Sequence, residues 1–357
     1  MVYLRGEEFY LTPSIIFWTI RHFLKTGSLT VGYAVAVLRH IRPNIVVTFI
    51  DTQGAFQKTA QYYKGCRFLA IQNGSRLLTR DNPPGSPMIY HSEFACLGRY
   101  EIDQYTKHGA SVQRFYPIGS LKDSYYRARQ PVPSPIKRFD LCLTSQIKPQ
   151  HNRIYPETMK GLELLTLHLK RFCETHGTTL CIAGRKHPDR GKEFFEWECN
   201  WFRERLGNIP RIFPNVRGEY TSYSLIDSSR VSLGQHTTVL REGFGRRKRI
   251  LSCNFTGNRM YDFPVDGPWA LSDPAYEVFE RRLIWLLEVS DEEYNNLCGN
   301  WPEYLIAYDA EMPAHIFLQK LIADAVGLKD GPSSVSQAYA TDELSGASDL
   351  RVPKQFT

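Results

Sequence analysis

The chain has 357 residues, of which 42% are hydrophobic and 23% charged, with a formal net charge of +7. Domains commonly span about 100–150 residues, so this length argues against a single core and predicts two domains. The mildly basic balance, with a pI near 8.9, fits a solvated surface or an anionic partner: a phosphorylated small molecule, an anionic membrane or nucleic acid.

The first 120 residues alternate between strand and helix patterns. Strands are predicted at Ile45–Asp51, Arg67–Arg76, Met88–Gly98 and Ala110–Ser120, with helices at Thr30–His40, Ala55–Tyr63 and Arg99–His108. Continuous apolar strands alternating with helices predict a parallel sheet covered on both faces. Met1–Arg5 has strand character too, which leaves open whether an N-terminal piece is missing.

A proline-rich segment separates the two halves. Ala128–Arg138 carries three prolines in five residues and is predicted to be a stiff linker between domains at 1–127 and 139–300. After it, strands are predicted at Phe139–Gln146 and Thr178–Gly184, helices at Tyr155–Gly177 and Glu193–Gly207, and a strand, turn, helix and strand within Ser228–Cys253. Trp269–Asp273 is predicted as a turn, and Ala275–Glu288, Asp291–Asn300 and Ala314–Val326 as helices. Residues 301–329 are expected to return to the first domain, and 330–357 to form a disordered tail.

Cysteine usage and hydropathy indicate a cytoplasmic protein. The eight cysteines form no CxxC pair, and several lie in apolar runs, as Cys142 and Cys181 do, so free thiols are predicted instead of disulfides. No secretory signal opens the chain. The longest apolar clusters, such as Ser14–Ile20, fall short of the roughly 20 residues of a membrane span, which favours a soluble or peripheral protein.

Several motifs that would define a function are absent from the sequence. It contains no GxxxxGKS/T phosphate loop, GxGxxG, HExxH, DxD or GxSxG. A dinucleotide-binding site and a dedicated metal site are therefore not predicted.

Small, polar and cationic residues follow three strands of the second half. They are Thr144, Ser145 and Gln146; Gly184, Arg185, Lys186 and His187; and Gly234, Gln235, His236, Thr237 and Thr238. Parallel sheets bind ligands at the carboxyl ends of their strands, so these loops are predicted to converge on an anion.

The last of these loops gives the sharpest signal. Thr237 and Thr238 stand where a helix begins, and hydroxyls with free N–H groups there form a phosphate site. Glu242, one turn on, is placed to accept both hydroxyls of a ribose. The alternative is an N-capped helix with an exposed glutamate.

Two basic stretches have competing interpretations. His187, flanked by Arg185 and Lys186 and followed by Pro188, is either a phosphate donor or a structural or solvated histidine. The run Gly245–Arg249 is interpreted as a helix C-terminal turn with solvated charges. Interleaved aromatic residues for base stacking are missing there, so no nucleic acid partner is predicted.

The first half offers weaker candidates. Asp51, at the end of a strand, is a candidate general base or a helix N-cap. Further candidates cannot be ranked by their spacing in the sequence. They are Asn73, Gly74, Ser75, Arg76, His91, Glu93 and, from the second half, Glu219.

The order of these motifs resembles a known family. "VVTFID", "FLAIQNGSR", "YPIGSLKDSYY", "AGRKHP" and "SLGQHTTVLREGFGRRKRIL" are similar to bacterial surface-polysaccharide glycosyltransferases of the GT-B type, especially the surface carbohydrate biosynthesis group. The similarity covers nearly all of Met1–Gly327. His187–Pro188 also resembles the His-Pro motif of sialyltransferases and Kdo transferases, whose histidine contacts the phosphate of a CMP-sugar, and Thr237 and Thr238 match their later Ser/Thr pair. Their acidic motif, two carboxylates before a glycine, is not evident in the first half.

The resemblance implies an α/β protein of GT-B architecture, with two Rossmann-like domains facing across a cleft. The second would hold a nucleotide sugar through Ser145, Gly184–His187, Gln235–Thr238 and Glu242. The first would hold a glycan or glycolipid acceptor near Asn73–Arg76, with Asp51 and His187 as catalytic residues. GT-B enzymes generally need no metal, and no cofactor is expected.

The function expected on this basis is transfer of a sugar to a growing surface polysaccharide, such as capsule or lipopolysaccharide, or to a lipid-linked glycan. A CMP-sugar such as CMP-Kdo or another nonulosonate is the favoured donor, and a UDP-sugar the other candidate. A nucleotide-sugar epimerase of the same fold and a non-catalytic nucleotide-binding scaffold are the alternatives. The basic surface and the segment Phe17–Phe23 offer a contact for anionic membrane lipid, although core packing is the preferred role of that segment.

Overall fold

The structure is a computed structural model that describes residues 10–76, 89–129, 138–147, 155–207, 210–216 and 218–328. These residues contain two parallel sheets and thirteen α-helices and divide into two compact units. Unit 1 comprises 10–74, 89–121 and 311–328, and unit 2 comprises 75–76 and 122–310. The α/β class predicted from the alternating patterns is confirmed. Met1–Arg5 and the tail 330–357 lie outside the described residues, as does 130–137, which is most of the predicted linker.

Unit 1 is built on a four-stranded parallel sheet in the order β1-β2-β3-β4. Its strands are β1 (Ile45–Thr48), β2 (Arg67–Ile71), β3 (Tyr90–Cys96) and β4 (Ser111–Pro117). Its helices are α1 (Pro13–Thr26), α2 (Leu29–Ile41), α3 (Gly54–Tyr62), α4 (Arg99–Lys107) and α13 (Ala314–Ala325). The second predicted strand ends earlier than expected because the apolar run stops at Ile71 and polar residues follow.

Helix α13 covers one face of this sheet. Phe317, Leu318 and Leu321 pack in one buried cluster with Leu69 of β2 and Tyr116 of β4. The helix lies beyond residue 310, so the chain returns to unit 1 after it has completed unit 2.

The two candidate residues of β3, His91 and Glu93, make contacts inside unit 1. Glu93 accepts hydrogen bonds from Arg67 Nε at 2.7 Å and Nη2 at 2.6 Å, and from the Tyr116 hydroxyl at 2.8 Å. Burial alone would raise the pKa of Glu93, but these bonds outweigh it and hold the pKa below its usual value. His91 stacks on Phe94 with ring centroids 4.7 Å apart, and burial lowers its pKa to about 4.

Helix α1 departs from the sequence-based expectations. Thr12 caps its N-terminus by accepting from the Ile15 N–H at 3.2 Å, and Gly27, at φ 65°, ends it. The segment expected to pack in the core instead places Phe17, Ile20 and Phe23 on the surface. That expectation is therefore wrong: the helix buries its opposite side, where Ile15 packs against α2.

Unit 2 contains a six-stranded parallel sheet in the order β10-β9-β8-β5-β6-β7. Its strands are β5 (Phe139–Thr144), β6 (Leu180–Ala183), β7 (Arg211–Phe213), β8 (Ser229–Gly234), β9 (Ile250–Cys253) and β10 (Ala270–Leu271). The segment Trp269–Asp273, predicted to be a turn, contains β10, which pairs with β9 at the sheet edge.

Eight helices follow or flank these strands: α5 (Leu121–Arg129), α6 (Pro156–His176), α7 (Lys192–Leu206), α8 (Thr221–Asp227), α9 (Thr238–Gly245), α10 (Tyr276–Glu288), α11 (Asp291–Cys298) and α12 (Trp301–Leu305). Within α5, only Leu121 belongs to unit 1, and the rest of the helix belongs to unit 2. The boundary between the units therefore lies before the proline-rich segment at which the domain boundary was predicted.

A buried arginine explains why α5 belongs there. The Arg246 guanidinium, whose side chain is 6% exposed, forms ion pairs with Asp123 of α5 and with Asp227, the latter at 3.1 Å. The Tyr126 hydroxyl donates to Asp227 at 2.9 Å. The expectation that Gly245–Arg249 presents solvated charges is corrected for this residue, because two carboxylates hold its side chain inside unit 2.

The remaining arginines of this run are also paired. Arg247 lies 2.8 Å from Glu303, and Arg249 lies 2.5 Å from Asp291.

Candidate functional site

A polar cavity of about 400 Å³ lies in unit 2 at the carboxyl ends of β5, β6 and β8. Its wall is formed by Ser75, Thr144, Ser145, Gln146, Ala183, Gly184, Arg185, Asn215, Ser222, His236, Thr237, Thr238 and Val239. The three loops singled out in the sequence therefore meet at one place. Their meeting follows from topology, since β5 pairs directly with both β6 and β8 and all three run parallel.

Two glycines allow the loops to approach one another. A Cβ on Gly184 would lie 2.7 Å from the Phe213 carbonyl oxygen, which accepts the Gly184 N–H at 2.8 Å. A Cβ on Gly234 would collide with Thr144 Oγ1. A side chain at position 184 would therefore meet the β7 backbone, and one at position 234 would meet the Thr144 side chain, so both positions favour glycine.

The N-terminus of α9 forms one wall. Thr237 precedes the helix in extended conformation. Its hydroxyl makes no capping hydrogen bond to the helix backbone. Thr238 Oγ1 accepts the Ser75 N–H at 2.8 Å. The Gln146 side-chain amide donates to the His236 carbonyl and ties the β5 loop to this wall. Free N–H groups and hydroxyls at a helix N-terminus attract anions.

Arg185 supplies the positive charge of the cavity. Its side chain is half-buried, and Nη1 donates to the Gln146 carbonyl at 3.4 Å. No carboxylate forms an ion pair with this guanidinium among the residues that the structure describes. Burial lowers the pKa of Arg185, partly opposed by the nearby charge of Glu198. A desolvated guanidinium with unused donors suits a phosphate or carboxylate ligand.

Glu198 of α7 is a buried carboxylate beneath the cavity. It accepts the Arg185 N–H at 3.1 Å from each oxygen, and it accepts the Ser145 hydroxyl. Burial raises the pKa of Glu198, while the bonds from Ser145 and Arg185 oppose that rise. Glu198 thus fixes the backbone of one lining residue and the side chain of another. Glu198 was not predicted from the sequence, because a glutamate within an amphipathic helix pattern gives no local signal of burial.

Four of the residues predicted to hold the nucleotide sugar lie outside the wall: Lys186, His187, Gln235 and Glu242. His187 caps the short 3-10 helix Pro188–Arg190: its Nδ1 accepts the Asp189 N–H at 3.3 Å and lies 3.1 Å from Asp189 Oδ2. His187 therefore has a structural role here as a helix cap, which is one of the two interpretations that the sequence left open. The Lys186 ammonium sits 5.1 Å from the centre of the Phe194 ring. Gln235 is buried with its amide beside Gly161.

Glu242 differs from both of its sequence interpretations. It is neither exposed nor part of the cavity wall: the side chain is 3% exposed, and Oε2 accepts the Tyr223 hydroxyl at 2.9 Å. A contact with ribose would require this bond to be exchanged. The ribose role of Glu242 therefore stays a prediction.

The candidates from the first half do not form one group. Asp51 is buried in the loop after β1, where its carbonyl accepts the Gln57 amide at 2.9 Å. Asn73 donates to the Phe49 carbonyl at 2.6 Å in unit 1. Ser75, predicted on the acceptor side, instead lines the cavity of unit 2. Glu219 is exposed. Within the described ranges, no group of three or more His, Cys, Asp or Glu side chains is arranged to hold a metal ion.

Comparison with solved structures shows the fold. A candidate UDP-N-acetylglucosamine 2-epimerase from Listeria monocytogenes superposes with a TM-score of 0.54 at 13% identity, over 86% of this chain and 80% of that one. The S. aureus MnaA–UDP complex gives 0.51 at 11% identity, over 91% and 84%. The Neisseria meningitidis UDP-GlcNAc 2-epimerase bound to UDP-GlcNAc gives 0.50 at 14% identity, over 82% and 80%.

No family model and no curated protein matches the sequence. The similarity to known proteins is therefore one of fold: the two-sheet, GT-B-like architecture that was predicted from the sequence.

Proposed function

We propose that the cavity of unit 2 binds the phosphate groups of a nucleotide sugar. The observation that carries the proposal is Arg185, a half-buried cation with no ion pair to a carboxylate in the described part of the chain. Among the described residues that line the cavity, none carries a carboxylate. A wall of one cation and several neutral donors is complementary to an anion.

The lining residues suggest how the ligand is held. Arg185 pairs with phosphate oxygens, and Thr237 and Thr238 donate from the N-terminus of α9. Ser145 and Gln146 border the same space from the β5 loop. A volume of about 400 Å³ suits a ligand of modest size. Lys186, His187, Gln235 and Glu242 would join only after local rearrangement.

The reaction we infer is glycosyl transfer to a surface polysaccharide or lipid-linked glycan. The bond from the anomeric carbon to the donor phosphate breaks, its electrons leave with the nucleotide, and an acceptor hydroxyl bonds to that carbon. Arg185 and the α9 N-terminus stabilise the departing phosphate without a metal ion. Asp51 remains the proposed base that takes the hydroxyl proton, with the acceptor near Asn73–Arg76.

The nucleotide is better sought first among UDP-sugars. The preference for a CMP-sugar depends on the His-Pro motif, and His187 is engaged as a helix cap. Two of the structures with similar folds are named as complexes with UDP-GlcNAc or with UDP.

A nucleotide-sugar 2-epimerase is the second candidate function. It is favoured by the fold neighbours named as UDP-GlcNAc 2-epimerases, with TM-scores of 0.50 to 0.54. It would use the same phosphate cavity and need no acceptor.

Nucleotide binding tests the cavity directly. Thermal shift and calorimetry with UDP, CMP and GDP should show one nucleotide stabilising the protein, by about 2.7 kcal/mol at 100 times its dissociation constant. Arg185→Gln should weaken that affinity at least tenfold. Arg203→Gln, which changes an exposed arginine of α7 outside the wall, is the matched control. Equal affinities for the two variants would disprove the site.

Product analysis then separates the functions. Nucleotide release that requires an added glycan acceptor supports transfer, whereas interconversion of the nucleotide sugar without acceptor supports an epimerase. Binding without either reaction supports a non-catalytic protein. Activity should survive EDTA; a loss that metal restores would contradict the metal-free mechanism.

A further inference from the structure

Helix α1 of unit 1 carries an apolar stripe on its exposed side. Its outer face, as we call it, consists of Ile16, Phe17, Ile20, Phe23 and Leu24. These positions recur at the i, i+1, i+4, i+7, i+8 spacing that aligns side chains along one side of a helix. Their exposure ranges from 41% for Phe23 to 78% for Leu24. Scattered apolar residues are ordinary on a surface, but five on one stripe are not.

Packing on α2 fixes the direction of this stripe. Ile15, on the opposite side of α1, is 1% exposed and packs with Ala36 and Val37 of α2. The helices approach closely at Gly32, where a Cβ would lie 2.8 Å from the Thr19 carbonyl oxygen and 2.9 Å from the Phe23 nitrogen. Rotation of α1 to bury the outer face would break these contacts.

The segment of sequence that carries the outer face contains charges of one sign only. Between Glu8 and Asp51 the sequence contains no acidic residue. The same stretch carries Arg21, Lys25, Arg39 and Arg42, all of them exposed. The Arg21 and Arg39 guanidinium carbons lie 5.2 and 4.0 Å from the centre of the Trp18 ring. None of these four cations forms an ion pair with a carboxylate of the residues that the structure describes. An apolar stripe beside such cations is complementary to acyl chains beneath anionic headgroups.

The dimensions favour a helix lying in the membrane interface. Among the described residues, no helix is long and apolar enough to cross a bilayer. Helix α1 has 14 residues, or about 21 Å at 1.5 Å per residue, against a hydrocarbon core about 30 Å thick. Its long basic side chains can reach the headgroups while the apolar side chains are immersed.

We propose that the outer face of α1 docks unit 1 onto the surface of an anionic phospholipid bilayer. Phe17, Ile20 and Leu24 enter the acyl boundary, and Arg21 and Lys25 contact lipid phosphates. The proposal is independent of the nucleotide-sugar function, because none of its residues lies in the cavity of unit 2.

Vesicle flotation with the full chain tests this docking. Binding is measured to phosphatidylcholine vesicles and to vesicles with 30% phosphatidylglycerol, at low and high salt. We expect binding to the anionic vesicles that high salt weakens. Arg21→Gln with Lys25→Gln should lower the partition coefficient about 25-fold, at about fivefold per cation. Phe17→Ser with Leu24→Ser should lower it at least tenfold.

Matched controls come from unit 2. Leu167→Ser removes an exposed leucine of α6, and Lys192→Gln removes an exposed lysine of α7. Both should leave vesicle binding unchanged. Because all substituted side chains are exposed, melting temperatures should also stay unchanged, which excludes unfolding as the cause of lost binding.

Two results would overturn the proposal. A dimer in sedimentation that Phe17→Ser with Leu24→Ser dissociates, without vesicle binding, would assign the face to a second copy of the chain. A monomer that does not bind anionic vesicles would refute membrane docking.

Discussion

The buried carboxylate of Glu198 gives the sharpest test of the site's construction. Its side chain is fully buried, and it accepts the Ser145 hydroxyl and the Arg185 N–H. Glu198→Ala leaves these two donors without an acceptor, at about 1–3 kcal/mol each, so a loss of about 2–6 kcal/mol in unfolding free energy is expected. Glu198→Gln keeps an acceptor oxygen and a similar shape and should cost less.

The two variants should also differ in pH dependence. Burial raises the pKa of Glu198 above that of an unfolded-chain glutamate, near 4.3. The folded protein then holds this proton more tightly, so the stabilising contribution is complete below about pH 4.3 and is lost as pH rises through the folded pKa. Unfolding free energy should therefore fall with rising pH more steeply in the wild type than in Glu198→Gln, since the amide does not titrate.

Urea denaturation at pH 5 and pH 7.5 measures both effects. Glu196→Ala is the control, because Glu196 lies on the same helix with its side chain 58% exposed, 3.8 Å from Lys192. It should change unfolding free energy by no more than about 0.5 kcal/mol. Nucleotide affinity should fall in Glu198→Ala, because the Arg185 backbone loses its anchor. A Glu198→Ala variant that loses no more stability than the control, or equal pH slopes for wild type and Glu198→Gln, would contradict a structural role for this carboxylate.

Three further predictions concern neighbouring features. His187→Ala should reduce nucleotide affinity less than Arg185→Gln does, because the imidazole caps the Pro188–Arg190 turn; calorimetry giving the opposite order would place His187 on the ligand. Gly32→Ala should destabilise the protein by about 1–3 kcal/mol in urea titration, because the added Cβ meets the α1 backbone; a neutral effect would show that the α1–α2 contact is loose. Asp123→Ala should cost about 3–5 kcal/mol by leaving Arg246 with one carboxylate fewer, whereas the exposed Asp189→Ala should cost little; equal losses would contradict a buried network.

The sequence predicted most of the sheet architecture because local patterns encode it. Apolar runs ending in small polar residues marked β5, β6 and β8, and parallel topology then required their carboxyl ends to lie together. Thr237 and Arg185 could be anticipated by that reasoning alone.

Other features depended on contacts between distant residues. Glu198 meets Ser145 across 53 positions, and Arg246 meets Asp123 across 123, so no short window shows either charge to be buried. The outer face of α1 was misjudged for a related reason. A helical stripe of apolar residues indicates that something covers it, but the stripe itself does not identify what that is.

The buried pairing of Arg246 with α5 has a consequence for how such chains can be divided and recombined. A fragment cut at the proline-rich segment, starting at residue 139, would keep the guanidinium and Asp227 but lose Asp123 and the Tyr126 hydroxyl. The buried Arg246 guanidinium would then keep only one of its two carboxylate partners, which destabilises the fold. A fragment intended to fold as unit 2 should therefore include helix α5. The long segment of unit 2 therefore begins at Lys122, before the proline-rich segment that the sequence suggests as the domain boundary.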